Sequence, residues 1–456
     1  MQYRVRPSPR NGAVACGPWR IVNFAHPHGD DTQWKSITEV GDMASVWISS
    51  AAVCAVFIAS AAVAQTPERE AFRSDPTALR AAVARDGSDR LSEGLLAAYE
   101  FRDAEARTVL KTYLTGAPTS EPDRNQALAA LSGVLLRDGL YGEAAEAMSR
   151  LLETSETEDE VRATTQSLAV ARALADTPPQ ARIAFAAGAV AIERDAARLA
   201  RIPLEVNGSA RRFVLDTGAN FSVVTESEAA ALGLRILGDT AGVGSITQAG
   251  AVSRIGVADE VKIGAVVFQH VVFLIMPDAS LTFAGGAYSI PGIVGFPVIS
   301  RLERLEVAKG ADGAETLSWG PSGPTPVVRD LYVDGLTPRV YVRVGGGEPV
   351  PFAFDTGANR TTLRPALLDE RPDLAAGAVA SREQVGGAGG VRTVEARRAP
   401  VVELRIDDVG VRLTDVSAAD EHAGGDMIRG RLGQDVLSQG YVMDFPAGDF
   451  QLKRTP

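Results

Sequence analysis

One tetrapeptide, present twice, limits what this chain can be. Asp216-Thr217-Gly218-Ala219 and Asp355-Thr356-Gly357-Ala358 are each followed by an asparagine, Asn220 and Asn359. Each is entered from an apolar run, Phe213-Val214-Leu215 and Phe352-Ala353-Phe354, that reads as a short buried strand. A carboxylate on a tight Gly turn at the end of a buried strand is partly desolvated and held in place. Two such carboxylates brought face to face cannot both ionise. They share one proton and can act together as general base and general acid.

The surroundings repeat with the motif. The two Asp residues lie 139 positions apart (355 − 216). Downstream, Gly292-Ile293-Val294-Gly295 recurs as Gly430-Arg431-Leu432-Gly433, 138 positions on (430 − 292). Between them stand two Gly-rich turns, Val243-Gly244-Ser245 and Val385-Gly386-Gly387, 142 apart (385 − 243). A lone Asp-Thr-Gly is an ordinary turn sequence. Three features in one order at nearly one spacing mark a duplicated unit.

Each unit resembles a lobe of a retropepsin-like aspartic protease, and the pair resembles a single-chain version of the usual homodimer, over about residues 200–452. The resemblance implies that Asp216 and Asp355 are catalytic and meet at a pseudo-twofold axis. It implies that Thr217 and Thr356 cross-brace the two loops, with Gly218, Ala219, Gly357 and Ala358 completing them. Gly244, Ser245, Gly386 and Gly387 match the tips of the hairpin flaps that cover substrate, and the later apolar-apolar-Gly segment packs beneath each loop. Ile293-Val294-Gly295 fits that segment, whereas Arg431-Leu432-Gly433 departs from it by one charged residue. Ala219 and Ala358 stand where the related pepsin-like branch carries a hydroxyl that hydrogen-bonds the carboxylate, and alanine offers no such donor.

The rest of the 456 residues sets this pair in context. Trp47 to Ala64 is an uncharged run ending Ala62-Val63-Ala64-Gln65, the small-x-small pattern of a cleaved signal peptide, with a membrane anchor as the alternative. Both cysteines, Cys16 and Cys54, precede that site. A mature chain would then have no thiol catalysis, no Cys-ligated zinc and no disulfides. A net charge of −11 offers no basic stripe for nucleic acid or an anionic membrane.

From about 76 to 176 the pattern is helical. Ala127, Leu128, Leu131, Leu135 and Leu136 are followed by a break at Asp138-Gly139, then by Ala144, Ala145, Met148, Leu151 and Leu152. The phrase resembles a tetratricopeptide hairpin, with a plain helical bundle as the alternative. No His-Glu-x-x-His or Gly-x-Ser-x-Gly motif appears, and the Gly386–Gly390 run lacks the Lys-Ser/Thr of a phosphate cradle.

The expected architecture is multidomain α+β: leader and signal peptide 1–64, tetratricopeptide-like helical region 65–180, an all-β retropepsin-like lobe 200–308, a linker 309–336 and a second lobe 337–452. The expected function is an exported, periplasmic aspartic endopeptidase needing no metal or organic cofactor. It would act on polypeptide substrate, with the helical region free to dock a protein partner and no stable membrane insertion after signal cleavage. The alternative is a peptide-binding or scaffold protein that keeps the fold without cutting.

Overall fold

The computed structural model describes residues 47–48 and 75–454, apart from 117, 119, 156, 238–253, 327, 388–389 and 420–427. Of the apolar run Trp47–Ala64, only Trp47–Ile48 is described, as a two-residue strand parallel to Val385–Gly386. The rest of that expectation lies outside the described residues. Among the described residues no helix is long and apolar enough to cross a membrane.

The helical region consists of α1 (Pro76–Arg85), α2 (Arg90–Tyr99), α3 (Asp103–Thr115), α4 (Glu121–Arg137), α5 (Tyr141–Leu152) and α6 (Glu158–Ala173), each packed on the next. Local sequence sets the starts. Asp75 accepts from the N–H of Thr77 at 2.9 Å, Asp89 from that of Ser92 at 3.1 Å, and Thr157 forms a capping box with Glu160. The break at Asp138-Gly139 is a left-handed stop: Gly139 has φ +71°, and the Leu140 N–H returns to Leu135 O at 2.8 Å. The apolar positions read from the sequence are core, except Leu152, which is half-buried.

Two β-rich lobes follow. In the first, Ala200–Val206 and Ser209–Leu215 form a hairpin whose turn residues Asn207 and Gly208 both have positive φ, as a two-residue turn matching strand twist requires. Arg254–Ile263 and Val266–Met276 form a second hairpin, and the short strand Gly292–Val294 slots between Ser209–Leu215 and Ser222–Thr225. The second lobe repeats this plan with Thr337–Val344, Pro349–Phe354, the long hairpin strands Gly390–Ile406 and Val409–Ala419, and Gly430–Leu432. Residues 278–290 carry a small hairpin, and Leu281, Phe283, Tyr288 and Ile290 in it are buried.

The lobes are stitched by one sheet. Arg304–Lys309 of the first lobe pairs antiparallel with Tyr441–Asp444 of the second, Leu305 opposite Met443. Asp449–Leu452 lies outside Tyr441–Asp444. On the other side come Glu315–Gly320 and then Gly188–Arg194. The strand Glu315–Gly320 thus lies inside the Gly/Pro-rich stretch that reads as a linker. Residues 181–199 hold the strands Ala181–Ala184 and Gly188–Arg194.

The helical region closes over this joint. Phe101, held at φ +59°, lies with its ring centroid 6.4 Å from that of Phe296 and 5.5 Å from that of Phe445. Arg137 donates to Gly335 O at 2.5 Å and to Asp103 at 2.7 Å, while Arg301 donates to Arg137 O at 2.9 Å. Arg80 pairs with Glu100 and donates to the Tyr332 hydroxyl at 3.3 Å. The helices touch both lobes.

Candidate active site

Each Asp-Thr-Gly-Ala loop is set by three neighbouring strands. In the first lobe Val214 and Leu215 pair parallel with Ile293 and Val294, and the Asp216 N–H donates to Val294 O at 3.0 Å. In the second, Ala353 and Phe354 pair with Arg431 and Leu432, and the Asp355 N–H donates to Leu432 O at 3.2 Å. The glycines of the supporting segment are needed for space. A Cβ at Gly295 would meet Phe221 O at 2.5 Å, and one at Gly433 would meet Arg360 O at 2.4 Å. Each of these glycines also donates its N–H to a hydroxyl six residues beyond the Asp: Gly295 to Ser222 at 3.1 Å, Gly433 to Thr361 at 3.0 Å.

The two loops meet. The Thr217 N–H donates to Thr356 Oγ1 at 3.0 Å, and the Thr356 N–H donates to Thr217 Oγ1 at 3.1 Å. Each hydroxyl then donates onward across the axis, Thr217 to Phe354 O at 2.8 Å and Thr356 to Leu215 O at 2.7 Å. All four groups are buried, so these bonds have no competition from water.

Both carboxylates are 1 % exposed. Asp216 Oδ1 accepts from the Gly218 N–H at 2.8 Å. Asp355 Oδ1 accepts from Gly357 at 2.9 Å and from Ala358 at 3.0 Å. Gly357 touches both acids: it hydrogen-bonds Asp355, and a Cβ placed on it would lie 2.4 Å from Asp216 Cγ. The structure therefore brings together Asp216, Asp355, Thr217, Thr356, Gly218, Gly357, Ala219 and Ala358. Of the residues expected at the flap tips, Gly244 and Ser245 lie outside the described residues. Gly386 and Gly387 sit at the end of the hairpin formed by Val379–Gly387 and Gly390–Ile406, whose second strand runs beside Asp278–Leu281 of the first lobe.

Three contributors had no role assigned to them from the sequence. Arg431 Nε lies 3.2 Å from Asp355 Oδ2, with the two side chains 9 % and 2 % exposed. Its charge within an apolar triplet was the available signal. Gln434, where the first lobe has Phe296, donates to Thr356 O at 2.6 Å and accepts from Arg194 of the inter-lobe sheet at 2.6 Å. Asp435 accepts from the Thr361 hydroxyl at 2.6 Å, and burial raises this carboxyl above the ordinary range against the lowering effect of the Thr361 donors. Among the described residues no group of three or more His, Cys, Asp or Glu side chains is arranged to hold a metal ion.

Residues 202–298 and 340–436 each match the aspartyl protease family. Among solved structures the chain is similar to a retropepsin-like aspartic protease from Rickettsia conorii, at 16 % identity over 30 % of this chain and 95 % of that one, with a TM-score of 0.20. That likeness is too slight to carry an argument. No curated protein matches the chain. The two lobes thus match the aspartyl protease family in tandem, and a helical region precedes them.

Proposed function

We propose that the chain is an aspartic endopeptidase whose single site uses Asp216 and Asp355 together. The observation that carries this is the reciprocal Thr217–Thr356 bonding within one chain, which leaves the two carboxylates against a common glycine, Gly357. One water held between the acids would be deprotonated by the ionised one as it attacks the scissile carbonyl, while the protonated one stabilises the developing oxyanion. The flap hairpins would offer backbone donors to an extended substrate strand and exclude bulk water.

The test is turnover of an unstructured protein by Asp216→Asn and Asp355→Asn. Each should lose roughly a thousandfold or more in rate with the fold intact, and the double variant should be no worse, because residues acting as one unit do not add. Substantial turnover in either single variant would sink the single-site reading and favour lobes pairing between two chains.

A second reading, a peptide-binding protein that does not cut, is favoured by the ion pair from Arg431 to Asp355, which engages an oxygen of one of the two acids. Binding of unstructured peptide without cleavage by the parent chain would select it. The Ala62-Val63-Ala64 pattern supports export with a mature chain beginning at Gln65, which N-terminal sequencing of envelope material tests.

A further inference from the structure

We propose that Arg431 is a positioning residue of the second catalytic loop that holds the negative charge of the acid pair on Asp355, leaving the shared proton on Asp216. This rests on the hydrolase reading. The strand Gly430–Leu432 is buried between Pro349–Phe354 and Thr362–Leu363, with Arg431 opposite Ala353 on one side and Thr362 on the other. Its equivalent in the first lobe is Ile293, a residue with no side-chain donor. The Arg431 side chain is 9 % exposed, and a buried guanidinium is costly unless it meets acceptors; Asp355 Oδ2 is one it meets.

The consequence is that Asp355 is held on both oxygens. Oδ1 takes the Gly357 and Ala358 N–H groups and Oδ2 takes Arg431 Nε. Arg431 thus supplies the carboxylate with the side-chain donor that Ala358 cannot. A fixed positive charge at hydrogen-bonding distance favours the charge-bearing form of the acid it touches. The proton relay then has a direction. Asp355 takes a proton from the water as its oxygen bonds to the carbonyl carbon, and Asp216 gives its proton to the carbonyl oxygen. In the collapse Asp355 returns its proton to the leaving nitrogen as the C–N bond breaks. One hydroxyl of the tetrahedral carbon gives its proton back to Asp216 and re-forms the carbonyl. Both acids end as they began.

The experiment compares the full chain with Arg431→Leu and Arg431→Lys. Leucine is close in size and polarity to Ile293, which holds this place in the first lobe, so Arg431→Leu should fold. Its kcat should fall roughly tenfold or more with KM changed less than about threefold, and Arg431→Lys should recover part of the loss. An unchanged or raised kcat in Arg431→Leu would overturn the proposal, the latter by marking the ion pair as a block. The placement of charge is read separately, by affinity for a peptide carrying a hydroxyl in place of the scissile carbonyl. Asparagine mimics a protonated acid but not an ionised one. Asp216→Asn should therefore retain affinity better than Asp355→Asn by roughly tenfold, and equal losses would overturn the assignment. Melting of Arg431→Leu, Asp355→Asn and the double variant gives a readout independent of turnover. The double should melt no lower than Asp355→Asn alone, whereas simple addition of the two shifts would refute the coupling. Absence of turnover in the parent would count against the hydrolase reading, while the melting cycle would still decide whether Arg431 and Asp355 act as a pair.

Discussion

Thr217 and Thr356 exchange hydrogen bonds across the junction of the two lobes: each hydroxyl accepts the other's backbone N–H, at 3.0 and 3.1 Å. Each hydroxyl also donates to the carbonyl that precedes the opposing Asp, Phe354 O or Leu215 O. Replacing Thr356 by Val keeps the shape and removes the hydroxyl. A buried N–H and a buried carbonyl in the other lobe then lose their partner, at a cost of about 2–4 kcal/mol. Thr217→Val should cost a similar amount, because the bonding is symmetric. Urea unfolding measures the loss, and a change below about 0.5 kcal/mol would mean the loops are braced by something else.

The contact between Gly357 and the Asp216 carboxylate yields a second expectation. Gly357 does not have a positive φ, so alanine suits its backbone, yet the added methyl would fall 2.4 Å from Asp216 Cγ and Oδ2. Asp216 must turn away to make room. Gly357→Ala should lower single-turnover hydrolysis by roughly a hundredfold, as displaced catalytic groups do, while far-ultraviolet dichroism stays that of the parent. Retention of activity within about threefold would show that the reaction tolerates Asp216 in another position.

A third expectation concerns pH. Burial pushes the Asp330 carboxyl up to about 7, the Phe450 N–H opposes this, and the charges of Asp407 and Asp449 add to it. The folded value lies above the unfolded value of 3.8, so between them the folded chain binds the extra proton. Stability therefore falls as pH rises from about 4 to about 7 and levels off above. Asp330→Asn keeps an oxygen for the Phe450 N–H and removes the charge. It should stabilise the chain by about 2 kcal/mol at pH 8, discounted for partial exposure, and by nothing at pH 4. Thermal melting at the two pH values decides it. An equal gain at both would refute the titration.

What could be read from the sequence was whatever the chain encodes locally. Phe-Val-Leu before Asp216 and Gly139 after a leucine-rich helix each specify their own backbone, and each appears as expected. The duplication then located the candidate loops, because the same local code occurs twice in one order. The joint between lobes was illegible for the opposite reason. Glu315–Gly320 is flanked by Gly and Pro and becomes a strand only because Arg304–Lys309 and Gly188–Arg194 lie on either side. Non-local pairing of this kind leaves no trace in a single window. Arg431 was visible as a misfit in an apolar triplet, but its partner Asp355 is 76 positions away (431 − 355), and no spacing rule joins them.

The last expectation concerns the helices. Read from sequence as a packing or docking module without catalytic residues, they contribute Phe101 to an aromatic cluster with Phe296 of the first lobe and Phe445, which follows the second lobe's strand in the inter-lobe sheet. The Phe296 and Phe445 rings are themselves 5.7 Å apart and edge-on, so the cluster spans the joint. Phe101→Ala would remove the wedge from a half-buried site and should cost about 2 kcal/mol, less than a fully buried Phe. Because Phe296 follows Gly295 directly and its N–H donates to Ala219 O at 2.8 Å, slack at the wedge reaches the first Asp-Thr-Gly-Ala loop through one residue. Turnover of a short peptide should therefore fall together with stability. A chain begun at Thr177 should lose both more severely, since Arg137, Arg80 and Phe101 all leave with it. Full activity and an unchanged melting midpoint in that shortened chain would return the helices to the role of a detachable docking module.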